Sequence, residues 1–216
     1  MNFHHIFLAS PYSPTPSFML KSYQHNQRGG LMKKCVMSAA AALSLVAAPM
    51  ASSAATVTSG ASYVPSKSYS YDTYDLEGTP KRLSNLKCSG PSSQRQCTTA
   101  NYRGYTHLYY DKYLSLGVAY SDVFLTPAYK FPMTSGKTYK LVEYDIEGNA
   151  YPYRYEVQSV NTTKKVGNTT FKNVIRIKNQ SGGYTFIAKN HGIILITLKK
   201  NGKQIPYYKV TKVKKR

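Results

Sequence analysis

From about Tyr71 to the C-terminus, apolar and polar residues alternate in short runs separated by turn residues, and no apolar spacing of helical period emerges. In "KTYKLVEYDIEGNAYPYRYEVQSV" the alternation predicts two strands around Glu147-Gly148-Asn149. Val142, Tyr144 and Ile146 share one face of the first strand. Tyr151, Tyr153, Tyr155 and Val157 share one face of the second, with Pro152 near its start or on an edge. Gly167-Asn168, Gly182-Gly183 and Asn201-Gly202 then punctuate the chain at turn positions. Asn201-Gly202 is the strongest hairpin signal, because both residues tolerate positive φ. Ile193 to Ile196 is a continuous apolar run, which predicts a strand buried on both faces. Phe171, Ile175, Ile177, Ile194 and Ile196 are the expected core. "YTHLYYDKYLSLGVAYSDVFL" reads as two strands broken near Gly117, with a short helix followed by a strand as the alternative. The expectation is an all-β chain: a curved antiparallel sheet or meander of hairpins with few or no helices.

The N-terminal part has a different pattern. Lys33 and Lys34 precede an apolar run from Ala39 to Ala48, and Ser53-Ala54-Ala55 supplies small residues at a cleavage position. These are the three parts of a secretory signal peptide over residues 32–55, with a run too short to span a membrane. Residues 1–31 lack any hydrophobic period. They read as an upstream extension, with translation starting at Met32, or else as a disordered leader. Residues 56–70 are rich in Ser, Thr, Gly and Tyr and read as a flexible or loosely docked arm. Residues 71–216 form the single β-rich domain.

Charge sharpens this picture. The chain has 29 basic and nine acidic residues, for a formal charge of +20. Cleavage after Ala55 removes four of the basic residues and none of the acidic ones. Such a field favours polyanionic partners. Cys88 and Cys97, in "KCSGPSSQRQC", are the cysteines that lie beyond the leader. Export would place them in an oxidising compartment, so a disulfide is expected.

Local motifs for catalysis are missing: there is no P-loop, dinucleotide fingerprint, Gly-x-Ser-x-Gly elbow or zinc-protease motif. His107 falls in an alternating aromatic run and reads as a strand residue. His191 precedes Gly192 in "KNHG" and reads as an exposed turn histidine. Asp72, Asp75 and Glu77 read as a solvated acidic loop, and Asp145 and Glu147 flank a turn without an acid partner. Asn161, Asn168 and Asn179 begin Asn-x-Ser/Thr triplets, which a bacterial-style leader makes chance features of turns. No cofactor or metal is expected.

The C-terminal stretch "LKKNGKQIPYYKVTKVKKR" points to a partner. Lys199, Lys200, Lys203, Lys209, Lys212, Lys214, Lys215 and Arg216 are uninterrupted by acids, and Tyr207 and Tyr208 add stacking surfaces. In a regular extended chain Lys212 and Lys214 share one face, and Lys209 and Lys215 the other. Read as a tail past the last apolar strand, this stretch suits an anionic envelope polymer or membrane surface, with nucleic acid less favoured. The expected role is non-enzymatic binding or structural work in the periplasm or outside the cell. The competing classes are an envelope enzyme on a β-scaffold and a small outer-membrane β-barrel.

"FPMTSGKTY", "YRYEVQSV", "KKVGNTTFKNVIRIK" and "YTFIAKNHGIILI" together resemble a group of exported bacterial β-domains of uncharacterised function. That group carries a Pro-Leu-x-x-Gly-x-x-Trp start, a V-x-x-G-x-F-x-x-V-x-I hairpin and a Y-x-A-x-x-x-G-I/V-V strand. The likeness covers about residues 131–200. It rests on Pro132, Gly136, Phe171, Val174, Ile177, Ala188 and Gly192. Tyr139 stands where the group has Trp, and Lys189-Asn190-His191 replaces its usual approach to Gly192. The resemblance implies a curved antiparallel sheet and supplies no active site.

Overall fold

Alternating apolar positions and closely spaced turns produce fourteen strands among the described residues. The computed structural model describes residues 54–76, 81–144 and 148–216. The upstream extension, nearly all of the signal segment, Glu77, Asp145, Ile146 and Glu147 lie outside the described residues. The strands are β1 (Thr56–Val57), β2 (Tyr69–Asp75), β3 (Lys81–Ser89), β4 (Gln94–Thr98), β5 (Gly104–Tyr110), β6 (Tyr113–Val118) and β7 (Tyr129–Lys130). They continue as β8 (Met133–Thr134), β9 (Thr138–Tyr144), β10 (Ala150–Val166), β11 (Thr169–Asn179), β12 (Tyr184–Ala188), β13 (Gly192–Lys200) and β14 (Lys203–Lys215). Among the described residues the helical content is one 3-10 turn, Ala61–Tyr63.

Twelve strands form one antiparallel sheet in the order β7-β6-β5-β4-β3-β2-β14-β13-β12-β11-β10-β9. Two meanders, β2–β7 and β9–β14, are therefore joined by pairing the first strand of one with the last strand of the other. The expected hairpin at Asn201-Gly202 forms, with φ of 50° and 75° and Lys200 opposite Lys203. The break in the Tyr105–Leu125 region is not at Gly117. It falls at Asp111-Lys112, where φ values of 46° and 69° match a tight hairpin turn. Gly117 stays within β6, where a Cβ would crowd the Val123 carbonyl at 3.1 Å.

The sheet curls into a near-barrel, and side chains from the two meanders meet inside it. His107 Nε2 accepts the Ile193 N–H at 3.1 Å. The Tyr105 and Tyr208 rings meet edge to face at 4.9 Å. The Tyr129 hydroxyl reaches Thr185 Oγ1 at 2.7 Å and Asn179 Oδ1 at 3.0 Å, and the Tyr155 hydroxyl accepts the Lys130 N–H at 2.7 Å. Tyrosine suits this closure because its ring fills core volume while its hydroxyl satisfies a polar group on the opposing strand. Phe171, Ile175, Ile177, Ile194 and Ile196 are all buried, as are Ile193 and Leu195 between them. In β9 and β10, Val142 and Tyr144 turn outward, while Tyr151, Tyr153, Tyr155 and Val157 share the other face, with Tyr155 and Val157 buried and Tyr151 exposed near the strand's end.

The segment 56–70 is packed rather than arm-like. β1 pairs with β8, Tyr63 and Val64 are buried, and Asn190 donates to Ser62 O at 2.7 Å while its own carbonyl accepts from Ser66 at 2.8 Å. Its apolar residues are too few to show a period, yet they cap one end of the core.

Candidate polyanion-binding face

The residues expected as a basic tail form β14, a central strand rather than a free end. Lys203–Lys209 pair with β13, and Tyr208–Lys215 pair with β2. Arg216 donates to the Ser68 carbonyl at 2.8 Å, so even the last residue is tied to the sheet. The eight cations consequently split. Lys199, Lys200 and Lys203 sit at the Asn201-Gly202 hairpin end. Lys212 to Arg216 lie at the other end of the strand, roughly 35 Å away at the usual rise per residue.

A bulge decides which cations share a face. Thr73 pairs with Val210 and Asp72 with Lys212, so Thr211 is an extra residue in β14. One inserted residue flips everything beyond it to the opposite side. Lys209, Lys212 and Lys214 therefore lie together on the outer face, whereas regular alternation would separate Lys209 from the other two. Lys215 points away from them. Tyr208 is only 2% exposed, packed on Tyr105, and cannot stack on a ligand. Tyr207 is half-buried against the core.

Two further strands complete the outer face. Tyr74 lies between Lys209 on one side and Arg82 on the other, and Ser70 lies between Lys214 and Lys87. Lys209 Nζ sits 5.3 Å from the centroid of the Tyr74 ring, a cation–π contact that fixes both side chains. Arg82, Lys87, Lys209, Lys212 and Lys214 thus span three adjacent strands. The acid among them on this face is Asp72, and one of its oxygens already accepts the Asn85 N–H at 2.8 Å. Arg82, Lys87 and Tyr74 escape sequence reasoning because they are far from β14 along the chain. Their only local trace is the alternation of "YSYDTYD" and "KRLSNLK".

The bulge is itself buttressed. Asn161 in β10 and Asn173 in β11 adopt positive φ, and register shifts between Val157 and Lys164 bend this hairpin sharply. Its turn lands on Thr211. Asn168 donates to the Thr211 carbonyl at 3.4 Å, and the backbones approach so closely that only glycine fits at position 167.

The inner face carries a polar cluster that is not open to a substrate. Asp75, expected in a solvated loop, is 3% exposed and accepts a hydrogen bond from the Tyr105 hydroxyl. Burial raises the Tyr71, Tyr105 and Tyr208 hydroxyls above the usual tyrosine range. His107 is fully enclosed, and burial lowers its pKa to about 3, so the imidazole is neutral. Because Nε2 accepts from Ile193, the ring proton sits on Nδ1. His191 is half-buried rather than exposed. Tyr69 and Phe171 pack on its ring at 4.8 and 5.2 Å, the Tyr71 hydroxyl lies 3.3 Å from its Nδ1, and burial lowers its pKa. The cavity between these groups measures about 10 Å³, the size of a single water. Among the described residues no group of His, Cys, Asp and Glu is placed to hold a metal ion.

Cys88 and Cys97 are directly opposite each other on β3 and β4 and form a disulfide, with Cα atoms 4.0 Å apart. Compared with known proteins, the chain matches no family model, no curated protein and no solved structure.

Proposed function

We propose that this chain is an exported, non-enzymatic cell-envelope protein that binds a linear anionic polymer along the outer face of β14, β2 and β3. The observation that carries this reading is the row Lys209, Lys212 and Lys214, brought onto one face by the Thr211 bulge and flanked by Arg82 and Lys87. Cations spaced along a strand match a chain of repeating anions and release counterions together on binding. The Cys88–Cys97 disulfide and the leader-like residues 32–55 support an oxidising, extracytoplasmic setting. Lysines on the outward side of central strands also favour an aqueous outer face over a lipid-facing one.

The test is a salt titration of the intact chain and a Lys209→Gln/Lys212→Gln/Lys214→Gln variant against an acidic glycan, anionic vesicles and single-stranded DNA. If five cations each neutralise one phosphate of single-stranded DNA, affinity falls by about a hundredfold between 50 and 200 mM salt. An anionic glycan is expected to bind with similar salt dependence, and the triple variant to show a flatter slope. No binding at 50 mM salt, or identical slopes for the two proteins, would refute the proposal.

A further inference from the structure

A groove opens where β2 ends and β14 continues without it. β14 pairs with β2 only from Tyr208 onward, so among the described residues no β2 residue pairs with the Lys203–Pro206 stretch. Tyr207 is an extra residue against β13, since Ile196 pairs with Tyr208 and Thr197 with Pro206. Its carbonyl accepts the Leu76 N–H at 2.8 Å, which holds Leu76 at the mouth of the opening. The groove has a volume of about 520 Å³, within the range of small-molecule sites.

Its lining is divided by chemistry. Leu76, Ile205 and Pro206 form an apolar wall, and Ile205 is 37% exposed. Arg82 and Lys209 line it beside the Tyr74 ring, in register on either side of that residue. Among the described residues that line it there is no acid. A hydrophilic polymer would leave the apolar wall facing hydroxyl groups, and a neutral apolar ligand would leave two cations without a counter-charge. A molecule with an anionic head and an aliphatic chain satisfies both halves.

We infer that this groove binds one long-chain anionic amphiphile, with its carboxylate or phosphate between Arg82 and Lys209 and its aliphatic chain along Leu76, Ile205 and Pro206. The guanidinium fork of Arg82 suits either oxyanion, because it can donate two parallel hydrogen bonds. Lys209 is held for this role by its packing over Tyr74. The site shares Arg82 and Lys209 with the polymer-binding face but does not depend on Lys212 or Lys214.

The experiment titrates the whole chain with dodecanoate and with dodecyl phosphate, each below its micelle concentration, and with neutral dodecyl maltoside. Heat of binding and the methyl NMR shifts of Leu76 and Ile205 are recorded. One anionic amphiphile is expected to bind per chain and to move those methyl signals, and the stronger of the two anions identifies the head group. Arg82→Gln and Lys209→Gln are each expected to weaken binding about fivefold, and Ile205→Glu to abolish the methyl shifts, with melting temperature confirming the fold. A Lys212→Gln/Lys214→Gln variant is expected to lose polymer affinity and keep the amphiphile. Equal binding of the neutral detergent, no binding of either anion, or affinities unchanged by Arg82→Gln and Ile205→Glu would overturn the inference. Loss of polymer binding alone would refute the polymer reading and leave the groove standing.

Discussion

Replacing His107 with glutamine isolates the contribution of one enclosed imidazole to acid sensitivity. The ring is 2% exposed and packs against the Gly192 backbone, with its Nε2 committed to the Ile193 N–H. Arg95, its cross-strand partner, adds a positive charge nearby, while Tyr71, Thr73, Tyr105, His191 and Tyr208 line the same small cavity. Desolvation lowers the folded-state pKa from 6.5 to about 3. Between those values the unfolded chain binds a proton that the folded chain does not. Unfolding free energy therefore falls as pH falls, by about 1.4 kcal/mol per pH unit once below 6.5. Integrated from pH 7 to pH 5, the loss attributable to this residue is about 2 kcal/mol. His107→Gln keeps an acceptor for the Ile193 N–H and removes the titration. The variant is expected to be less stable than the native chain at pH 7 through imperfect packing, and to lose about 2 kcal/mol less on going to pH 5. Urea unfolding followed by tyrosine fluorescence or circular dichroism at the two pH values measures both slopes. Parallel pH dependence in the two proteins would refute the argument, since it would mean that His107 is protonated in the fold or that the acid loss arises elsewhere.

Two further outcomes follow from the topology and core. Deleting Lys212–Arg216 removes the partners of Tyr69 to Asp72, in the only strand pair that joins the two meanders within the described sheet. Thermal unfolding of the truncated chain is expected to show a much lower or non-cooperative transition, and an unchanged melting temperature would contradict the central placement of β14. Phe171→Ala empties a site that is 2% exposed and is expected to cost about 3–5 kcal/mol in equilibrium unfolding; a variant of native stability would show that its neighbours refill the space.

The sequence alone determined the all-β class, the Asn201-Gly202 hairpin, the buried run Ile193–Ile196, the cysteine pair and the excess of positive charge. Each of these is local, or depends only on composition. A two-residue turn with positive φ and a period-2 pattern act between neighbours in the chain, so they can be read without the fold. What the sequence left open depends on pairings between distant strands. The Thr211 hydroxyl donates to the Asp72 carbonyl at 3.1 Å across 139 residues, and no local pattern encodes that meeting. It turns an apparent tail into a central strand. The same pairing introduces the bulge that puts Lys209 beside Lys212 and Lys214, and it brings Arg82, Lys87 and Tyr74 alongside them. It also buries Asp75, which in sequence looks like a solvated acid. Curling of the sheet buries His107 and encloses His191 among aromatic rings. Strand alternation specifies two faces but not which one becomes the interior of a near-barrel. That choice is made by the closure itself, where the hydroxyls of Tyr129 and Tyr155 find partners across the opening and the apolar faces of both meanders leave water together.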